Sequence, residues 1–247
     1  MNEPRPLAPP SCESFYRHLQ AQCAQVLGQS FSGDNSVLQN AGHGYVSDFE
    51  KWLQVSSGRP EAVLLKSALR EYNFALFALV QGQYRQAFMA LRLFLELALG
   101  AVHFSANELE LRVWLQGNRD VNWHAIVEPE KGVFSKTFVG AFFEALKDEA
   151  PTYRAIAGEA YRECSEYVHG NANTNELPDA LVFNQDAFSD WHEKARNIRL
   201  AVQFALCARY AALATPDQRQ ILERMLLDEL GHLAPVRLLF AAIPEVH

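Results

Sequence analysis

Arg162 and His169 are the pair in this 247-residue chain whose side chains best suit a chemical step. Arginine carries a permanently charged, planar fork that grips phosphate oxygens two at a time, and histidine exchanges a proton near neutral pH. Placed seven apart on a helix, with Glu163 to Val168 between them, they project to one side with only about 20° of drift. There the imidazole can move a proton at an oxygen while the guanidinium neutralises charge developing on a phosphate. The same residues also make an ordinary surface, with Arg162 paired to Glu159 or Glu166 and His169 completing a helix C-terminus. A second pair, Arg119 and His124, has four residues between its members and Asp120 after the arginine. It falls in a turn-forming cluster of Gly117, Asn118, Asp120 and Asn122 and ranks lower for that reason. In a chain with 16 arginines and eight histidines, one or two such spacings arise by chance.

Other polar residues stand near these or in unusual company. Asn171, Asn173 and Asn175 follow His169 and suit contacts to ribose or to base edges. Arg92 and Glu96 lie one turn apart in the most apolar stretch of the chain. A charged pair is costly to bury unless it is partnered, so it reads either as an internal salt bridge locking two helices or as support for a site. Lys194, Arg196, Arg199 and Arg209 occupy a segment without a single acid, which reads as a path for an RNA backbone or, equally, as a solvated helix face. No phosphate-binding glycine loop, HExxH or GxSxG occurs, so no cofactor or metal is expected.

The run Arg162-ECSEYV-His169 near the end of a helical segment resembles the HEPN superfamily. Ribonuclease members of that family carry an arginine, four to six residues, then a histidine late in a bundle helix. Glu163 stands where the family pattern often has Asn, Asp or His. The resemblance covers about residues 60 to 175. It implies a metal-independent endoribonuclease acting on RNA, with Arg162 and His169 catalytic. Glu163, Asn171, Asn173, Glu96 and Arg92 would then support the pair or bind substrate. It further implies a homodimer and a toxin or antiviral defence effector, with an antitoxin or other protein partner. The competing reading is a non-catalytic helical adaptor or regulatory subunit that works by binding a protein.

The elements that must hold these residues read as helices throughout. Hydrophobic residues make up 49% of the chain, ample for a core, and the net charge of −7 argues against non-specific coating of nucleic acid. Residues 1–11, with Pro4, Pro6, Pro9 and Pro10, are expected to be a flexible leader. Residues 12–247 are expected to form one α-helical domain. No apolar leader is seen, and no stretch approaches the ~18 apolar residues of a membrane span, so a cytoplasmic protein is expected. Phe15, Leu19, Cys23, Val26 and Leu27 predict one buried stripe on a helix ending at Gly28. A loop follows, then a short helix over residues 46–55. Residues 60–81 and 83–104, apolar on several faces, predict a central antiparallel hairpin turning at Gly82. Further helices are predicted over 107–115, 134–146, 151–168, 186–214 and 216–230, with C-terminal helices spanning 186–243. No period-2 strand is present. The four cysteines show no CxxC spacing and read as small hydrophobes. The fold class expected is an all-α bundle of eight to ten helices.

Overall fold

A segment apolar on several faces must be covered on several sides, and the architecture follows from meeting that demand twice in succession. The computed structural model describes residues 11–169 and 181–241, and among them are eleven α-helices and no strand. In chain order these are α1 (Cys12–Ser30), α2 (Asp34–Val55), α3 (Ala62–Val80), α4 (Tyr84–Phe104), α5 (Glu108–Leu115) and α6 (Trp123–Ile126). They continue with α7 (Lys136–Phe143), α8 (Ala150–His169), α9 (Gln185–Leu206), α10 (Pro216–Leu230) and α11 (Ala234–Ala241). The protein is an all-α multi-helix bundle.

The α3–α4 hairpin is its centre. Gly82 makes the turn with φ of +75°, a conformation that a side chain would strain. A Cβ there would also come within 3.2 Å of Val26, so the turn is pressed against α1. α4 is covered by α3, α8 and α9, and Phe88, Leu91, Phe94, Leu95, Ala98 and Leu99 are fully buried. By length and composition α4 is able to cross a bilayer, contrary to the expectation that no stretch is, but its apolar window is 67% buried inside the protein. The same composition serves a core helix.

Three further sequence expectations need correction. The loop expected before residue 46 is helix, since α2 begins at Asp34 and runs through Gly42 and Gly44. Glycine costs a helix about 1 kcal/mol against alanine, and packing overrides it. Gln39, Gly42, Tyr45, Phe49 and Trp52 are buried at helical intervals, and a Cβ at Gly42 would meet both His192 and Leu76 at 3.3 Å. The buried stripe expected on α1 is largely open: Val26 is covered, whereas Phe15 is 49% and Leu27 45% exposed, and the helix passes Gly28 to end at Ser30. Finally, the long helix expected over 186–214 changes at Leu206 into a π-turn, Cys207–Ala211. Elsewhere the boundaries agree closely, including the Thr215–Gln218 capping box that starts α10. Cys164 and Cys207 pack as buried thiols that burial pushes up to about 12, while Cys12 is exposed.

α2, α3 and α9 meet around a buried polar seam. Tyr72 donates to the Gly42 carbonyl at 2.9 Å and accepts from Arg199 at 3.0 Å, and Trp52 donates to Gln203 at 2.6 Å. His192 lies in the same seam, 5% exposed, packed edge-on against Phe188 and Trp191. Burial, then the charge of Arg199, pulls it from 6.5 down to about 4. The unfolded chain therefore takes up a proton on this imidazole that the folded chain refuses. The associated stability is fully present above pH 6.5 and is lost as pH falls toward 4, by roughly 3 kcal/mol. Urea unfolding between pH 7 and 4 is expected to show this slope, and His192→Leu to flatten it. An unchanged pH dependence in the variant contradicts the account.

Candidate functional site

α5 ends in a loop that returns across α4, and its seat there is specific. Val121 settles over Gly100 so closely that a Cβ on Gly100 would come within 3.0 Å of it. Asn122 then caps α6, accepting from the backbone N–H groups of His124 at 3.0 Å and Ala125 at 3.4 Å. Its neighbour Trp123 stacks flat on Tyr161 of α8, with ring centroids 3.9 Å apart and planes inclined by 6°. The loop, α4 and α8 thus enclose an open cleft of about 460 Å³. Arg119, Asp120, Asn122, Trp123 and His124 line it from the loop, Arg92 and Glu96 from α4, and Tyr161 from α8.

Arg92, Glu96 and Tyr161 form a closed triangle at its base. The guanidinium donates to Glu96 Oε1 at 3.0 Å and to the Tyr161 hydroxyl, and that hydroxyl donates to the same carboxylate oxygen at 3.0 Å. Arg92 also lies 4.5 Å from the Tyr161 ring centroid. Burial pushes the phenol above its usual range against the pull of the Arg92 hydrogen bond, so it stays protonated and able to donate. The Arg92 Nε is buried without a hydrogen-bond partner among the described residues. At the rim, Arg119 is held 3.6 Å from Glu110, which also meets His103 at 3.2 Å. His124 is exposed to the cleft. Two guanidinium groups and one imidazole therefore share an opening in which two carboxylates balance the charge.

Arg162 and His169 lie elsewhere on α8. Both are exposed, the Arg162 side chain at 72% with, among the described residues, a single long contact of 3.8 Å to Glu159, and neither lines the cleft. They remain its neighbours: Arg162 directly follows Tyr161, and His169 lies about 10 Å farther along the helix axis than Arg162. Glu163 turns away from both toward α9, where Lys194 meets it at 3.6 Å. Asn171, Asn173 and Asn175 lie outside the described residues. The acid-free basic segment is mostly occupied internally. Lys194 is bonded to Asp190, Arg199 to Tyr72, and Arg209, 7% exposed, to Ser105, which leaves Arg196 as the exposed member.

No family model matches this sequence, and neither a curated protein nor a solved structure matches the chain. The site therefore rests on its own geometry. That geometry joins two clues that were separate in the sequence, the Arg119–His124 pair and the Arg92–Glu96 pair. Sequence reasoning missed Tyr161 and Trp123. The available signal was the buried charge on α4, which demanded a polar partner without saying from which helix. Removing the acceptor shared by a guanidinium and a phenol leaves both wanting. Glu96→Ala is expected to cost about 2–3 kcal/mol and Tyr161→Phe about 1 kcal/mol in urea unfolding. A Glu96→Ala cost below that of Tyr161→Phe contradicts the triangle.

Proposed function

We propose that the protein is a HEPN-like, metal-independent endoribonuclease working in the cleft between α4, α6 and α8. The observation that carries this is the convergence of His124, Arg119 and Arg92 on one opening of about 460 Å³, room for a nucleotide and its phosphate. His124 moves the proton, from the 2′-hydroxyl that attacks phosphorus or to the leaving 5′-oxygen. Arg119 and Arg92 hold the phosphate oxygens as charge builds on them. The triangle with Glu96 and Tyr161 fixes Arg92 in direction, and the stacked Trp123 and Tyr161 rings offer an aromatic wall to a base. The toxin or defence role follows from the HEPN resemblance alone, and growth inhibition on expression is its direct readout.

A second reading keeps the reaction at Arg162 and His169, favoured by the openness of both side chains and the slack 3.8 Å contact of Arg162. A third, the non-catalytic adaptor, is favoured by large apolar side chains left uncovered on α1 and α3. One experiment separates all three: total RNA incubated in EDTA with wild type, His124→Ala and His169→Ala. The cleft reading expects cleavage by wild type, a loss of about 100-fold or more in His124→Ala, and near-normal cleavage in His169→Ala. The reverse pattern moves the centre to the α8 ridge. RNA left intact by the wild type ends the nuclease proposal and favours the adaptor.

A further inference from the structure

The first half of α1 stands off the body of the protein. From residue 12 to 25 nothing is buried, and in the whole helix Val26 and Ser30 alone are covered. Yet Tyr16, Leu19 and Cys23 continue, at intervals of three and four, the stripe that ends in those two buried residues. Phe15 packs edge-on against Tyr16 at 5.5 Å, and the two rings are 49% and 64% exposed. A helical segment of this length, ~21 Å, is marginal in water on its own. An apolar stripe at this spacing is what a helix turns toward a packing partner.

The outer side of the central hairpin carries the matching surface. Phe74 and Phe77 of α3 are more than half exposed, and Met89 and Leu93 of α4 are about 40% exposed. Phe74 and Ala90 are equidistant from the Gly82 turn, so these side chains occupy one stretch of the antiparallel pair. The arm is rooted at this end of the molecule, where Val26 rests against Gly82. Because α1 is one unbroken helix, it cannot fold back on its own hairpin.

Charge points to what covers these two surfaces. The chain carries −7, so two copies repel over most of their surface, yet no Asp or Glu occurs from residue 14 to 33 or from 72 to 95. The apolar stripe of the arm, residues 15–23, and the hairpin face, residues 74–93, lie within those acid-free stretches, and Glu13 at the start of the arm is paired with Arg17 at 2.7 Å. The exposed apolar side chains on the two together offer roughly 700 Å², close to the ~800 Å² per partner of a stable interface.

We propose that α1 is a dimerisation arm. Its Phe15, Tyr16, Leu19 and Cys23 stripe lies across the Phe74, Phe77, Met89 and Leu93 face of a second copy of this chain, which returns the same contact about a two-fold axis. The proposal is independent of the cleft and of any reaction in it. Sedimentation equilibrium of the full chain tests it, and the wild type is expected at twice the 27.8 kDa chain mass. Phe15→Glu with Tyr16→Glu, and separately Phe74→Glu with Phe77→Glu, are each expected to weaken the dimer about 100-fold or more. All four positions are exposed, so far-UV circular dichroism is expected to show the body still folded. Leu109→Glu, at an exposed site on α5, is expected to leave the dimer intact. A wild type at the mass of one chain, or a dimer that survives either pair of substitutions, overturns the proposal.

Discussion

A charged pair sits on the helix least able to tolerate one. α4 is wrapped by three other helices, and along it Arg92 and Glu96 occupy the seam facing α8. Ions half withdrawn from water are costly without a further hydrogen-bonding partner. The phenol of Tyr161 supplies this, donating to the carboxylate and accepting from the guanidinium. The contact fixes α8 against α4 at one height and in one rotation, and farther along the seam Phe88 stacks on Tyr167 at 3.9 Å. The placement of Trp123, hence of α6 and its loop, follows from the same phenol through ring stacking.

The site thus depends on the fold in a definite order. The apolar hairpin creates a dry seam, the seam demands a closed polar triangle, and the triangle presents a flat ring on which the loop can rest. The groups suited to chemistry, His124 and Arg119, come last and sit on the wet side. Such layering gives rigidity beneath and solvent access above, an arrangement that holds the exposed groups on a fixed support. The buried seam around His192 and Tyr72 is a separate device on the far side of the hairpin, and it holds α2 and α9 in place.

Much of the fold was legible in residue pattern. The hairpin could be read because residues 60–104 are apolar on so many faces that only an interior position suits them, and Pro216 announced a helix start because its fixed φ suits a first turn. α2 was hidden because two glycines and several polar residues mimic a loop, and the reason they do not break the helix is the bulk of His192 and Leu76 arriving from distant sequence. The candidate cleft was half legible. Spacing along one helix proposed Arg162 with His169, but spacing cannot say which face of a helix borders a cavity. The convergence of Arg119, His124, Arg92 and Glu96 depends on a loop crossing a helix, a relation that no local periodicity contains.

Gly100 makes that crossing possible, and what it contributes is an absent side chain. The missing methyl is a notch in α4 into which Val121 drops, setting the height at which the loop travels over the helix. Arg119 and His124 flank Val121 by two and three residues, so a lever pivoting on that notch would carry both together. The placement of one rim of the opening is thus tied to a residue of α4 that does not itself line it.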